Sequence, residues 1–242
     1  MQFFQWQPAK ETFVAVTAGL VIIFLSVLML PFSPDSWIRI VIHDIGMVGL
    51  AGILFPLLYI QRSGRSFAEF GLTLHRWQVF TPINLILGLF LLGIFVYWVP
   101  PEGFRFDPDT ALTMLLILCT GVFEVIFFYG FLRTLFEQAF GLIPAVLLTA
   151  GFYSFHHIGF QPEFLLLFFV GLMYALVYRA GSSVLLIYPF FWGVGASYNV
   201  LIQSGEVAAI MYPEIRLMYL SVFVILIPVW VWLKSRKYNL NG

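Results

Sequence analysis

Eight long apolar stretches constrain the fold of this chain more than any other feature. They lie near residues 12–32, 37–60, 80–99, 110–132, 144–159, 163–179, 183–203 and 214–233. Most approach the roughly 20 residues that a helix needs to cross the hydrocarbon core of a bilayer. Helices satisfy their own backbone polar groups in lipid, where water is absent. The sequence therefore predicts an all-α, polytopic transmembrane helix bundle of about eight spans, forming a single transmembrane domain over residues 1-242.

The composition excludes several functional classes. Hydrophobic residues make up 61% of the chain and charged residues only 10%, a mix far from that of a soluble domain. The twelve basic and twelve acidic residues cancel, so no net charge attracts nucleic acid. The single cysteine, Cys119, has no intrachain disulfide partner and is interpreted as a packing residue. We expect membrane lipids around the chain and no nucleic-acid partner.

The distribution of lysine and arginine predicts the orientation. In the eight-span arrangement one side carries nine basic residues and the other only three, and the richer side is expected to be cytoplasmic. Both termini would then lie in the cytoplasm of a multi-pass protein, most simply in the cell membrane. The longest loop on that side is the predicted cytoplasmic loop at about 61-79. The nine residues are Lys10, Arg62, Arg65, Arg76, Arg133, Arg179, Lys234, Arg236 and Lys237, and the three are Arg39, Arg105 and Arg216.

Ionisable residues inside the spans are the candidates for function. A charged group in hydrocarbon costs a few kcal/mol even on the most lenient scale (about 2.5–3.5 kcal/mol), so it needs a partner or a purpose. Glu124 lies in the fourth span, and His156 and His157 lie near the end of the fifth. For His43 and Asp44, in the second span, we expect a simple ion pair at the membrane interface on the side of Arg39.

Glu124 is surrounded almost entirely by apolar residues, in the stretch from Gly121 to Leu132. A carboxyl in such surroundings is suited to act as a general base on water, with an imidazole nearby to share the proton. The alternative is a neutral glutamic acid that hydrogen-bonds a neighbouring helix and has only a structural role. A third hypothesis is a proton-coupled transporter that uses buried acids and imidazoles as a conduction path.

The adjacent histidines are predicted to differ in role. Consecutive residues point about 100° apart on a helix, so His156 and His157 cannot both face one small site without a local distortion. Phe152 lies four residues before His156 and on the same face. We therefore expect His156 to be nearer Glu124 and His157 to face the connection to Pro162.

From about residue 61 to 200 the sequence resembles the CPBP proteins, the CAAX-prenyl-protease and bacteriocin-processing group of intramembrane endopeptidases, also called Abi. The likeness rests on the order and spacing of several short motifs. They are Phe70-Gly71-Leu72 before Arg76, the run from Glu124 to Gly130, the run from Phe152 to His156, the turn from Gly171 to Ser182 with Tyr178 and Arg179, and Gly195 to Asn199.

The resemblance implies an endopeptidase in which Glu124 and His156 activate water and Asn199 stabilises the developing oxyanion, with His157 as a supporting residue. Three positions depart from the family pattern: Val125 replaces a second Glu, Tyr129 an Arg, and Gly195 a second His. Tyr198 or Tyr129 could supply the missing donor. The departures favour an alternative in which the chain is a catalytically degenerate membrane scaffold or immunity protein.

Two further expectations concern metal and depth. We expect no cofactor, because the chain has no HExxH sequence, the adjacent histidines should diverge, and Gly195 offers no fourth zinc ligand. At about 1.5 Å per residue, Glu124 and His156 can meet near mid-membrane, whereas Asn199 reaches them only if the seventh span is tilted or broken. The Tyr188-Pro189 pair is the predicted place for such a break.

Overall fold

The computed structural model describes residues 2–34, 36–100, 107–159, 163–198, 212–227, 229–230 and 233 of the chain. Within these residues the chain forms eight helices that match the predicted all-α bundle. They are α1 (Lys10–Leu28), α2 (Trp37–Arg62), α3 (Trp77–Trp98), α4 (Pro108–Phe140), α5 (Leu142–His156), α6 (Phe164–Gly181), α7 (Phe190–Ser197) and α8 (Pro213–Ser221, continued by a π-helical segment Val222–Leu226).

Six of these helices are long and apolar enough to cross a membrane, counting α5 together with the short 3₁₀ turn His157–Gly159 that follows it. They are α1 to α6, and they coincide with the first six predicted spans. The seventh and eighth predicted spans, 183–203 and 214–233, lie partly outside the described residues. The prediction of a polytopic membrane bundle is confirmed, and the count of eight stays approximate.

Two of the spans change their helical geometry part-way along. In α2 a π-helical segment, Val41–Leu54, separates two α-helical ends. In α4 the α-helix Pro108–Glu124 passes into a π-helix, Val125–Leu132, before the α-helix resumes at Arg133. Hydrogen bonding from residue i to i+5 is uncommon and is found mostly near functional sites. The change in α4 falls directly after Glu124.

The middle of α4 is the centre of the bundle. Its π-helical residues Val125–Leu132 are all buried, and their side chains pack mainly as aromatic rings. Phe127, Phe128 and Phe131 stack edge-on or tilted against one another, and Tyr153 of α5 packs edge-on against Phe128. Since lipid supplies no hydrophobic force between helices, this close packing is what holds α4 against its neighbours.

A compact turn closes the end of the bundle that carries Arg62, Arg133 and Arg179. Gly71 adopts a left-handed conformation with φ 68°, and a Cβ there would overlap the hydroxyl of Tyr178 in α6. That hydroxyl donates to the carbonyl of Phe70, and Val184 N–H donates to the carbonyl of Gly71 at 3.0 Å. Glycine is required here by both conformation and space. The contact ties the 67–72 segment to the end of α6.

The seventh span is broken where the sequence predicts a break. A 3₁₀ turn, Val184–Leu186, is followed by the cis peptide bond Tyr188-Pro189, and α7 begins at Phe190. The Oδ1 atom of Asn84 in α3 accepts hydrogen bonds from the backbone N–H groups of Phe190 and Phe191, at 2.9 and 3.2 Å. A side-chain acceptor thus satisfies the first free donors of α7 inside the bundle.

Candidate active site

Glu124 points into the bundle, at the junction between the α-helical and π-helical parts of α4. Its residue exposure is only 7%. The Nε1–H of Trp192, in α7, donates to Glu124 Oε2 at 3.0 Å, which satisfies both a buried carboxyl oxygen and a buried indole. Sequence reasoning missed Trp192. The available signal was an indole N–H inside an apolar span, which needs an acceptor when it is buried.

The approach of Trp192 to Glu124 depends on Gly121, which lies three residues earlier on α4 and so on the same face. A Cβ at position 121 would overlap the six-membered ring of Trp192. The indole therefore passes over a position that has no side chain. Absence of a side chain at residue 121 is a condition for the hydrogen bond from Trp192 to Glu124.

Gly121→Ala is expected to destabilise the protein by about 1–3 kcal/mol, because the added methyl group must push a buried indole aside. The measurement is thermal unfolding of the purified protein in detergent. Gly93→Ala is the matched control, since a Cβ at that helical position meets no atom within 4 Å and alanine favours a helix over glycine. Equal melting temperatures for the two variants would contradict the packing described here.

Both histidines face Glu124. The Nε2 atoms of His156 and His157 lie 3.5 and 3.9 Å from Glu124 Oε1, so His156 is the nearer, as predicted. The expectation that His157 faces the connection to Pro162 is wrong, and Pro162 itself lies outside the described residues. The reason is the local distortion that the sequence required: α5 ends at His156 and a 3₁₀ turn begins at His157.

One backbone carbonyl orients the two imidazole rings. The Nδ1 atoms of His156 and His157 lie 2.5 and 2.8 Å from the carbonyl oxygen of Tyr153, and their ring centroids are 3.8 Å apart. A carbonyl oxygen only accepts hydrogen bonds and has two lone pairs, so both rings carry their N–H on Nδ1. When a ring is neutral, it then presents the lone pair of Nε2 towards Glu124.

Residues 107–194 match the family model described as type II CAAX prenyl endopeptidase Rce1-like. This segment is Rce1-like. The match confirms the resemblance predicted from the sequence motifs. The chain matches no curated protein and no solved structure.

The Rce1-like segment contains Glu124, His156, His157 and Trp192, so the whole cluster of side chains described above lies inside it. Gly195 follows one residue after the matched range. Asn199, the predicted oxyanion donor, lies beyond the match and outside the described residues. The matched segment thus includes Glu124, His156 and His157 but not the predicted motif from Gly195 to Asn199.

The cluster formed by Glu124, His156 and His157 also has the geometry of a three-ligand metal site. One ligand atom from each of Glu124, His156 and His157 lies within 4.8 Å of the other two. Two imidazole nitrogens and a carboxylate are a donor set that zinc accepts in catalytic sites. The sequence argument that adjacent histidines diverge is therefore wrong for this pair. The expectation of no cofactor stays a prediction.

Four tyrosines pack against one another in the bundle, centred on Tyr129. Tyr129 is fully buried, and its ring lies 5.8 Å from that of Tyr153, 5.9 Å from Tyr174 and 6.5 Å from Tyr178. Tyr153 also packs against both imidazole rings of the cluster, with ring centroids 5.3 Å from His156 and 4.8 Å from His157.

Tyr198 is less suited to replace a missing donor than the sequence suggests. Its hydroxyl donates to the backbone carbonyls at the end of α3, those of Phe95 at 2.9 Å and of Val99. Its ring stacks on Phe95 at a centroid distance of 4.6 Å. The hydroxyl is thus directed towards α3 and not towards α4 and α5. Val125, at the position of the family's second Glu, is buried and apolar.

Asp44 forms the predicted ion pair with His43 and a second one with Arg216. It is fully buried, and its carboxylate accepts hydrogen bonds from Arg216 Nε at 2.7 Å and from Tyr219 at 2.7 Å, both in α8. His43 Nδ1 lies 2.5 Å from Asp44 Oδ1. Arg39 donates to the carbonyl of Gly159 at 2.8 Å. The expected pair of His43 and Asp44 is present, but it is not a simple interfacial pair, because Asp44 is fully buried and also binds two residues of α8.

Proposed function

We propose that the chain is an intramembrane endopeptidase of the CAAX-protease type, which hydrolyses a peptide bond of a peptide or membrane-protein substrate. The observation that carries this proposal is the convergence of His156 and His157 on the buried carboxyl of Glu124 inside an Rce1-like segment. A buried acid next to oriented imidazoles is the arrangement that general acid–base chemistry needs.

In the proposed reaction the Glu124 carboxylate accepts a proton from a water molecule while the water oxygen attacks the carbonyl carbon of the scissile bond. The attacking water would contact both Glu124 Oε1 and His156 Nε2, which lie 3.5 Å apart. The tetrahedral intermediate then collapses, the C–N bond breaks, and Glu124 returns the proton to the departing amine. His157 supports the orientation of this pair, and Trp192 holds the carboxyl group in place.

The proposed setting is the cell membrane, with both termini in the cytoplasm and lipids around the six long helices. The support is the asymmetry of lysine and arginine along the sequence. Arg62, Arg133 and Arg179 lie at the end of the bundle that this orientation places in the cytoplasm. Nine residues along α4 separate Glu124 from Arg133, which is at most about 13 Å at the α-helical rise of roughly 1.5 Å per residue, so cleavage would occur within the bilayer.

The experiment that tests this function uses the purified chain in proteoliposomes with a library of membrane-anchored peptides. Products are identified by mass spectrometry in water enriched in ¹⁸O, which labels the new carboxyl terminus when water is the nucleophile. A parallel measurement of pH-linked flux tests the transporter alternative. Peptide products without flux support the proposal, whereas flux without products, or neither, contradicts it.

The proposal assigns the reaction no metal, although Glu124, His156 and His157 could hold an ion that would polarise the substrate carbonyl and acidify water. Cleavage is therefore expected to survive dialysis against a strong chelator with less than about a two-fold change. The readout is the cleavage rate beside the metal content of the same sample. Loss of cleavage that zinc alone restores would replace this mechanism with a metal-dependent one.

Asn199→Ala is expected to lower kcat by about 10²-fold without abolishing cleavage, since one of several donors to the oxyanion is lost. The role of Asn199 rests on the family resemblance. Single-turnover rates of the variant and of Asn239→Ala, a control near the end of the chain, provide the measurement. Wild-type rates in both variants would remove Asn199 from the mechanism.

A further inference from the structure

The hydroxyl of Tyr174 occupies the space that a side chain at residue 195 would need. A Cβ at Gly195 would overlap that hydroxyl oxygen and would lie 3.6 Å from the adjoining ring carbon, Cζ. Tyr174 lies on α6 and its residue exposure is 1%. The absence of a side chain at 195 therefore admits a hydroxyl group from another helix.

The hydroxyl of Tyr174 is weakly held where it is. It donates to the backbone carbonyls of Phe191 and Trp192 over 3.3 and 3.4 Å, both at the long limit of a hydrogen bond. A shared proton at such distances is readily redirected to a stronger acceptor. An oxyanion is such an acceptor, because charge-assisted hydrogen bonds are shorter and roughly twice as strong as neutral ones.

Tyr174 is also linked to the carboxyl group of the candidate site through Trp192. The backbone carbonyl of Trp192 accepts its hydrogen bond, while the indole of the same Trp192 donates to Glu124. On the other side its ring packs edge-on against Tyr129. A substrate carbonyl placed for attack by water on Glu124 would thus lie beside a buried hydroxyl donor.

We propose that Tyr174 is a further catalytic residue, whose hydroxyl donates a hydrogen bond to the tetrahedral oxyanion from the space left open by Gly195. This inference rests on the proposed endopeptidase function. In the step it assists, the water oxygen bonds to the carbonyl carbon, the carbonyl π electrons move to the oxygen, and Glu124 takes the water proton. The Tyr174 proton stays on its hydroxyl throughout.

The test begins with Tyr174→Phe, which keeps the ring and removes only the hydroxyl. We expect kcat to fall about 10²–10³-fold, as for the loss of one oxyanion donor, with KM within about three-fold because the interaction is made mainly in the transition state. Tyr178→Phe is the control. It removes a buried hydroxyl one turn further along the same helix, where the acceptor is the carbonyl of Phe70, and its kcat should equal that of the wild type.

A pair of double variants separates a donor from a space-filling group. In the Tyr174→Phe background, Gly195→Ser places a new hydroxyl near the lost one, and Gly195→Ala adds the same Cβ without it. We expect the serine variant to recover kcat at least ten-fold over the alanine variant. A Tyr174→Phe kcat within three-fold of the wild type, or a loss that serine and alanine repair equally, would overturn the proposal.

Two further readouts keep this inference distinct from the function on which it rests. Wild-type protein that yields no peptide product would refute the proposed function and the role of Tyr174 together, whereas active wild type with equally active Tyr174→Phe refutes the role alone. Thermal unfolding tests the packing without any substrate. Gly195→Ala should lower the melting temperature of the wild type by several degrees, and by less in the Tyr174→Phe background. Equal shifts in both backgrounds would overturn the assigned position of the hydroxyl.

Discussion

Replacing Glu124 with glutamine is expected to lower the cleavage rate by about 10³–10⁴-fold while the protein stays folded in the membrane. The amide keeps the shape of the side chain and can still accept a hydrogen bond from Trp192 through its oxygen. It cannot take a proton from water at neutral pH, and positioned general bases contribute about 10²–10⁴ in rate. Single-turnover cleavage in proteoliposomes measures the loss.

Glu163→Gln is the control for this variant, because Glu163 is an exposed glutamate before the start of α6 and the same change of charge there should leave cleavage unaffected. The three hypotheses predict different patterns for Glu124→Gln. If the chain is a scaffold, Glu124→Gln changes neither the biological phenotype nor any proteolysis, because a neutral amide packs as well as a neutral acid. If the chain is a transporter, the variant loses pH-linked flux. Wild-type turnover in Glu124→Gln would defeat the proposed mechanism.

Asp44→Ala is expected to destabilise the protein by about 3–5 kcal/mol, the usual cost of removing one partner from a buried ion pair. Asp44 accepts hydrogen bonds from Arg216 and Tyr219 and lies against His43. Without the carboxylate, a guanidinium between α2 and α8 loses its counter-charge. Chemical unfolding in mild detergent gives the free energy of unfolding.

The double variant Asp44→Leu/Arg216→Met distinguishes a buried charge from a simple loss of volume. Replacing both partners with apolar groups removes the unpaired guanidinium, so much of the stability should return. Arg65→Ala is the comparison at an exposed pair, since Arg65 binds Glu69 near the surface, and its effect should stay below about 1 kcal/mol. Equal losses at the two pairs would mean that burial of Asp44 contributes nothing.

The spans were predictable because length and apolarity are local properties of the sequence. The same holds for the break before α7, where Tyr188-Pro189 interrupts the helix. The convergence of His156 and His157 on Glu124 was not predictable. Consecutive residues point about 100° apart only on a regular helix, and the chain leaves that geometry at His157. The nearer position of His156 could be predicted, since it still belongs to α5.

Partners far apart in the sequence account for the remaining errors. Asp44 and Arg216 are 172 residues apart, and no spacing rule relates them, so only the contact of Asp44 with the adjacent His43 could be predicted. Trp192 likewise reaches Glu124 across 68 residues, through a gap that exists only because Gly121 has no side chain. Such contacts depend on how the helices pack, which hydropathy and motif order do not encode.

The closeness of the two imidazole rings limits how many protons the pair can hold. The Tyr153 carbonyl orients both rings, and their centroids are 3.8 Å apart. A second proton would place two positive charges about 4 Å from each other, a repulsion of about 4 kcal/mol at an effective dielectric constant of about 20. In the proposed reaction the pair of His156 and His157 would therefore carry at most one added proton at a time.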